Sequence, residues 1–405
     1  MQQSAIHKRL AFGRRSTRHP PRQASRPESI PRTLAGRMDL PFLLLTILLT
    51  VLGLVMLFSA SFPSASYKQG DPAYFLKRQA IFALLGMAAM VVMSRMDYHR
   101  LRGMAKILMY VSIFLLVLVL VPGVGIKENG ATRWLGKVGV LTFQPSEIAK
   151  LAIIVYFADS ISKKKNLMES FKYGVRPYLL TLAFFSGLML LEPHLSGTIL
   201  IVGTGVVLMI VGGIDKRWAI GGIGSVAALG FAYVKLVEAG VISYGADRIR
   251  MWEDPWIDAL DEGYQMCQSL IAIGSGGLTG VGLGKGRQKF LYLPEEHNDY
   301  IFPILCEELG FVGAVVVILL FILLIVRGYY IAMHARDRFG ALLAAGISTH
   351  FALQTFLNIG VVTNFLPATG ISLPFFSYGG TALLMQLFEA GIVLAVSRQN
   401  DNKLL

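Results

Sequence analysis

The stretch Leu293–Val326 reads LPEEHNDYIFPILCEELGFVGAVVVILLFILLIV and decides the class of the molecule. From Pro303 onward it is almost wholly apolar and long enough to cross the membrane. A helix of ~20 residues spans ~30 Å of hydrocarbon at ~1.5 Å per residue. Just before that run stand Glu295, Glu296, His297 and Asp299, at the expected membrane edge. Two carboxylates, Glu307 and Glu308, fall inside it. A charge at the centre of a membrane helix costs roughly 2.5–3.5 kcal/mol, and less near its end. Glu307 and Glu308 therefore need partners, a cavity or a proton; pairing and a direct role are both open.

The rest of the chain has the same character. Its 405 residues are 54% hydrophobic and 16% charged, with mean hydropathy +0.57. That balance excludes an ordinary soluble domain and fits a polytopic membrane protein. The net charge of +13 comes without a basic stripe carrying interleaved aromatics. No nucleic-acid partner is expected. Cys267 and Cys306 are too few for a disulfide framework.

Apolar runs of spanning length fall at 40–62, 75–94, 104–122, 145–161, 177–192, 197–213, 218–237, 303–326, 340–360 and 381–397. Lysine and arginine decide orientation. With ten spans, the basic segments fall on one face and hold 25 of the 38 basic residues. The reading is an all-α polytopic membrane protein with ten transmembrane helices and both termini cytoplasmic. Residues 1–39 form a basic, Pro- and Ser-rich cytoplasmic tail with nothing to bury, read as disordered. Residues 40–397 form the membrane domain, and 398–405 a short cytoplasmic tail. A large extracytoplasmic loop, 238–302, joins helices 7 and 8.

Four constellations carry chemistry. Asp299, at the outer edge, can be partly desolvated and still reach water, which suits a general base; a plain solvated edge is the other reading. Pro145, Ser146 and Glu147 resemble a helix start, and Glu147 and Lys150 share a helix face. They form either a local ion pair or a polar site inside the bundle. Arg133, beside Trp134, suits an anionic headgroup or a simple interfacial anchor. The glycine-rich 273–286 segment is not a phosphate loop. Thr279 stands where such a loop has glycine, and Gly286 follows Lys285 where Ser or Thr is needed. Lys285, Arg287 and Lys289 face a diphosphate or form a flexible positive rim. In the last loop, Pro367, Gly370, Pro374, Gly379 and Gly380 break any helix and point to a folded re-entrant or surface segment.

Taken in order, GATRWL…FQPSEIAKLA, EPHLSGT, GYQ…QSLIAIGSGGLTGVGLGKG, LPEEHNDYIFPILCEELGFVG and NIGVVTNFLPATGISLPFFSYGG resemble the SEDS family (shape, elongation, division, sporulation) of membrane peptidoglycan polymerases. The likeness covers residues 40–397. It implies a glycosyltransferase that polymerises lipid II at the outer face of the bacterial cytoplasmic membrane. It also implies Asp299 as the catalytic base and the undecaprenyl-diphosphate-linked glycan as second substrate. A class B penicillin-binding transpeptidase and other membrane proteins of the division machinery are the implied partners. Asn298 departs from the usual Thr, and His194 replaces an acid in the family's turn. The basic tail is closer to the division branch, which places the chain at the septum, than to the elongation or sporulation branches. Candidate substrate-binding residues are Arg133, Lys137, Glu147, Lys150, Lys285, Arg287 and His297. No tightly bound cofactor is expected; a divalent cation, Mg or Mn, beside the diphosphate is compatible. A lipid II flippase or transporter and a scaffold of the division machinery are the competing classes.

Overall fold

A computed structural model describes residues 36–128, 131–137, 141–222 and 246–399, with the isolated positions 224, 231 and 235. The expected tails therefore lie outside the described residues, except for 36–39 and 398–399. So does most of the expected seventh span, whose onset at 216–222 is helical.

Nine helices match the other expected spans: α1 (Leu40–Gln69), α2 (Tyr74–Arg95), α3 (His99–Leu120), α4 (Pro145–Lys164), α5 (Arg176–Leu191), α6 (Leu195–Val211), α9 (Ile301–Met333), α10 (Arg338–Val362) and α11 (Gly380–Arg398). Two shorter helices, α7 (Ala246–Glu253) and α8 (Tyr264–Ser275), lie within the expected large loop. Helix ends follow local chemistry. The Asp39 side chain accepts from Phe42 N (2.9 Å) and caps α1, Pro41 occupies its first turn, and Gly70 closes it in the left-handed region at φ 67°.

Among the described residues, seven helical stretches have the length and composition to cross a membrane. The Phe171–Leu191 stretch containing α5 is one of them, while α6 is shorter. In α4 the apolar run is diluted by Glu147, Lys150, Asp159 and Lys163, yet most of the helix is buried. It is an interior helix, and its charges are met by protein instead of lipid: Glu147 by Lys150, and Asp159 by Arg102 and Lys163. Helices α10 and α11 are likewise mostly buried. The outer helices turn Leu44, Val51, Phe114, Leu319 and Leu323 outward, as a lipid-facing surface requires.

The loops sort to two ends. At one end side chains bind helix to helix: Arg327 pairs with Asp39 (2.8 Å), Arg102 pairs with Asp159 (2.9 Å), and Tyr98 Oη donates to Asp337 Oδ1 (2.5 Å). The other end gathers the 121–144 segment, the α5–α6 turn, the 254–300 segment and the 363–379 segment.

Two features depart from the all-α reading. The 122–145 connection holds a three-stranded antiparallel sheet, β1 (Ile126–Glu128), β2 (Ala131–Lys137) and β3 (Leu141–Phe143). And α9 is broken at Gly310, at φ 68°. A Cβ there would sit 2.2 Å from Gly280 N, so only glycine lets the two segments meet. The glycine-rich segment docks into the break. Val281 N and Gly282 N donate to the carbonyls of Glu307 and Glu308 (3.0 and 3.1 Å), and Phe311 N and Val312 N donate to those of Gly277 and Leu278 (2.9 and 3.1 Å). Residues 277–282 of the glycine-rich segment are thus hydrogen-bonded partners of α9.

Candidate active site

The two carboxylates inside the α9 run prove to be builders. Glu307 accepts from the backbone N–H groups of Arg287 (2.7 Å) and Gln288 (3.2 Å). Glu308, fully buried, accepts from Ser59 Oγ (2.6 Å) and pairs with Lys289 Nζ at 2.6 Å. Lys289 itself is buried, so it is unavailable to a diphosphate. These bonds satisfy every charge locally, which is how ionised groups survive at membrane depth. Lys285 and Arg287 stay exposed on the same segment.

Asp299 ends the loop just before α9 and is half-buried. Its backbone is fixed from α10: Asn358 Nδ2 donates to Asp299 O (2.7 Å) and to Ile371 O (2.6 Å). One buried amide thus ties the Asp299 loop to the 363–379 segment. That segment crosses the carboxyl at Gly370, where a Cβ would lie 3.5 Å from Oδ2 and φ is 68°. On the other side Tyr378 N donates to His297 O (2.9 Å). The His297 ring packs on Phe75 at 4.3 Å and lies 5.9 Å from Tyr378. His297 Nδ1 stands 3.3 Å from Glu296 Oε1. Burial pushes the Asp299 carboxyl up to about 7, and the negative charge of Glu295 adds to it; its backbone hydrogen bond and His297 offset only part. A carboxyl poised there can exchange a proton near neutral pH.

A second cluster surrounds the α5–α6 turn. Glu147 and Lys150 pair at 2.8 Å, both buried. Arg133, on β2, donates to the carbonyls of Glu192 (3.4 Å) and Pro193 and so ties the sheet to the turn. Gln144 Nε2 lies 3.5 Å from His194 Nε2. Glu192 is buried, and neither carboxyl oxygen has a hydrogen-bond partner. Burial raises it to about 8, with Arg133 opposing. Burial, Arg133 and Lys150 lower His194 to about 3. Both are therefore mainly neutral near pH 7.

The structure thus gathers Arg133, Glu147 and Lys150 at one cluster and His297 with Asp299 at another, and it sets Lys285 and Arg287 on the glycine-rich segment. Lys137 ends β2, and its side chain lies outside the described residues. Cys267 and Cys306 are free and buried. Among the described residues no three His, Cys, Asp or Glu side chains converge to hold a metal.

Sequence reasoning missed Asn358, Phe75 and Tyr378. For Asn358 a signal was present. His350, Gln354 and Asn358 recur at helical spacing through an otherwise apolar helix, and each is buried. His350 meets Glu389 (3.0 Å), and Gln354 donates to Ser372 O (2.9 Å).

Known proteins resemble the chain over most of its length. The model of the FtsW/RodA/SpoVE family, described as cell cycle protein, matches residues 39–402. A probable peptidoglycan glycosyltransferase FtsW of Geobacter metallireducens is 41% identical over 89% of this chain and 95% of its own. The stage V sporulation protein E of Bacillus subtilis is 44% identical over 89% of this chain and 97% of its own. Among solved structures, a chain of a peptidoglycan synthase complex that coordinates polymerization and crosslinking superposes with TM-score 0.73 at 29% identity, covering 89% of this chain and 98% of that one. The rod shape determining protein RodA of Thermus thermophilus superposes with TM-score 0.66 at 29% identity, covering 90% and 97%. With the match running from the α1 cap to beyond α11 and both clusters inside it, the chain belongs to the FtsW/RodA/SpoVE family of multi-pass membrane proteins.

Proposed function

We propose that the chain is a peptidoglycan glycosyltransferase that polymerises lipid II into glycan strands, with Asp299 as general base. The carboxylate takes the proton of the GlcNAc 4-hydroxyl of one lipid II. The freed oxygen bonds to the anomeric carbon of the lipid-linked MurNAc at the end of the growing strand. The bond from that carbon to the diphosphate oxygen breaks with inversion, and undecaprenyl diphosphate leaves with the electron pair. The observation that carries this reading is a half-buried carboxyl raised to about 7 on a loop whose backbone Asn358 holds. His297 orients the loop through its contact with Phe75.

The leaving group gains negative charge, so cations near it lower the barrier. Lys285 and Arg287 are exposed for that role, while Arg133 and the Glu147–Lys150 pair shape the second polar cluster. Among the described residues no cage of protein ligands is at hand for a metal, so a divalent cation would draw its ligands from the diphosphate. Both termini are placed in the cytoplasm and the Asp299 end outside, where lipid-linked sugars are polymerised. The family's description as cell cycle protein and the relative named a stage V sporulation protein support a role in division or sporulation, and the solved complex that coordinates polymerization and crosslinking supports work beside a crosslinking enzyme; on the division reading the septum is the site of action.

Purified protein given labelled lipid II should produce long glycan strands. Asp299→Asn should fold, insert and produce none. Lipid II crossing a vesicle without reaction would favour a flippase, and no effect on lipid II would favour a scaffold. A reporter near residue 299 that proved cytosolic would overturn the placement of the site.

A further inference from the structure

At Tyr300 opens a cleft that no step above uses. Its walls include Met251 and Trp252 of α7, Glu262, Gln265 of α8, Tyr300 and Asn364. Tyr300 directly follows the proposed base. The walls come from four separate segments, pinned together by specific bonds. Asn364 Nδ2 donates to Trp252 O (3.1 Å), Gln265 Nε2 to Pro294 O (3.3 Å), and Ser269 Oγ to Val362 O (2.7 Å). Asn364 holds a left-handed backbone at φ 58°, and its Oδ1 has no hydrogen-bond partner.

The lining has a definite chemistry. A half-buried indole and two thioethers, from Met251 and Met266, offer a flat, polarisable surface to an apolar ring face. Gln265, Asn364 and Glu262 offer amide and carboxylate groups suited to hydroxyls and N-acetyl groups. No lysine or arginine lines the cleft, so a diphosphate finds no counter-charge there. Three polar side chains along it also make it a poor home for a prenyl chain. A pocket with an apolar platform and a few placed polar groups fits a small polar ligand with one apolar face.

We propose that this cleft is a saccharide subsite. It takes an N-acetylated hexosamine unit of the glycan, one sugar removed from the reacting bond. The inference rests on the polymerase reading, because only a strand threaded past Asp299 brings such a unit here. A filled subsite holds the strand between additions and so lengthens the product.

The test uses the full-length protein in nanodiscs and two readouts. The first is ligand-detected NMR with the soluble GlcNAc–MurNAc disaccharide, free of lipid and diphosphate. Wild type and Asp299→Asn should bind it alike. Trp252→Ala should weaken binding about five- to tenfold, and Trp252→Phe should retain most of it, as loss of one aromatic contact predicts. The second is glycan length from labelled lipid II, which should fall with Trp252→Ala and with Gln265→Ala. If Trp252→Ala does not fold, Gln265→Ala and Glu262→Gln carry both readouts. Polymerisation by wild type with no disaccharide bound, or with strand lengths unchanged in the variants, overturns the subsite and leaves the function standing. Disaccharide binding without any polymerisation overturns the function and leaves the subsite.

Discussion

Asp299 and Glu308 stand nine residues apart at the head of α9, and the fold treats them in opposite ways. Glu308 is matched at once by Lys289 at 2.6 Å and by Ser59. Asp299 has no such match: the carboxylate of Glu295 pushes its proton affinity up, and His297 offsets only part. The first arrangement uses a carboxylate to bolt the glycine-rich segment to a broken helix. The second keeps one unsettled, with its proton affinity near neutral. Glu147 and Glu192 repeat the contrast at the α5–α6 turn: one is paired with Lys150, and the other is buried without a hydrogen-bond partner. The carboxylates met by a cation or by backbone N–H groups, Glu308, Glu147 and Glu307, are architecture; Asp299 is left to exchange a proton.

Substitutions break this contrast from either side. Asp299→Asn should lower the polymerisation rate about 10²–10⁴-fold, the usual contribution of a general base, with the melting temperature unchanged. Lys289→Met should do the reverse and cost about 3–5 kcal/mol of stability, because Glu308 is left buried and unpaired. Chemical or thermal unfolding in detergent would show the loss. The double change Lys289→Met with Glu308→Leu should recover most of it. Recovery would show that the pair specifies structure only.

Asn358→Ala tests the link between the two kinds of site. It leaves two carbonyls without their donor, at about 1–3 kcal/mol for each. A role confined to stability would lower the melting temperature and leave the pH profile of kcat/KM in place; a positioning role also shifts the profile's acid limb. For wild type that limb should fall near pH 7. The base must be deprotonated, so the rate declines as pH drops through about 7. Glu295→Gln removes the neighbouring negative charge, so it should move the limb to lower pH. The smallest effect is expected of Glu192→Gln. With the carboxyl raised to about 8 and neutral at pH 7, a neutral isostere should leave the melting temperature unchanged.

Much of this architecture was legible in the residues because membrane helices advertise themselves: hydrocarbon permits little else. Nine of the expected spans and the Glu147–Lys150 pair follow from apolar length and helical spacing. The sheet at 126–143 was hidden by that same emphasis. Yet Asn129 and Gly130 sit between Glu128 and Ala131, which pair across β1 and β2, and Asn-Gly is a strong hairpin signal. The docking of the glycine-rich segment was illegible because it depends on φ at Gly310 and on a partner thirty residues away. Asn358 was overlooked although His350 and Gln354 precede it at helical spacing, because its two acceptors, Asp299 O and Ile371 O, lie on other segments.

The double grip of Asn358 has a metrical consequence. Its amide holds Ile371, thirteen positions further along the chain, so the stretch between them is a measured strap whose length is set by both knots. Removing or adding one residue there should drag the strap off the Asp299 carboxyl even if every side chain survived. Homologous chains are therefore expected to hold the number of residues in this stretch nearly fixed.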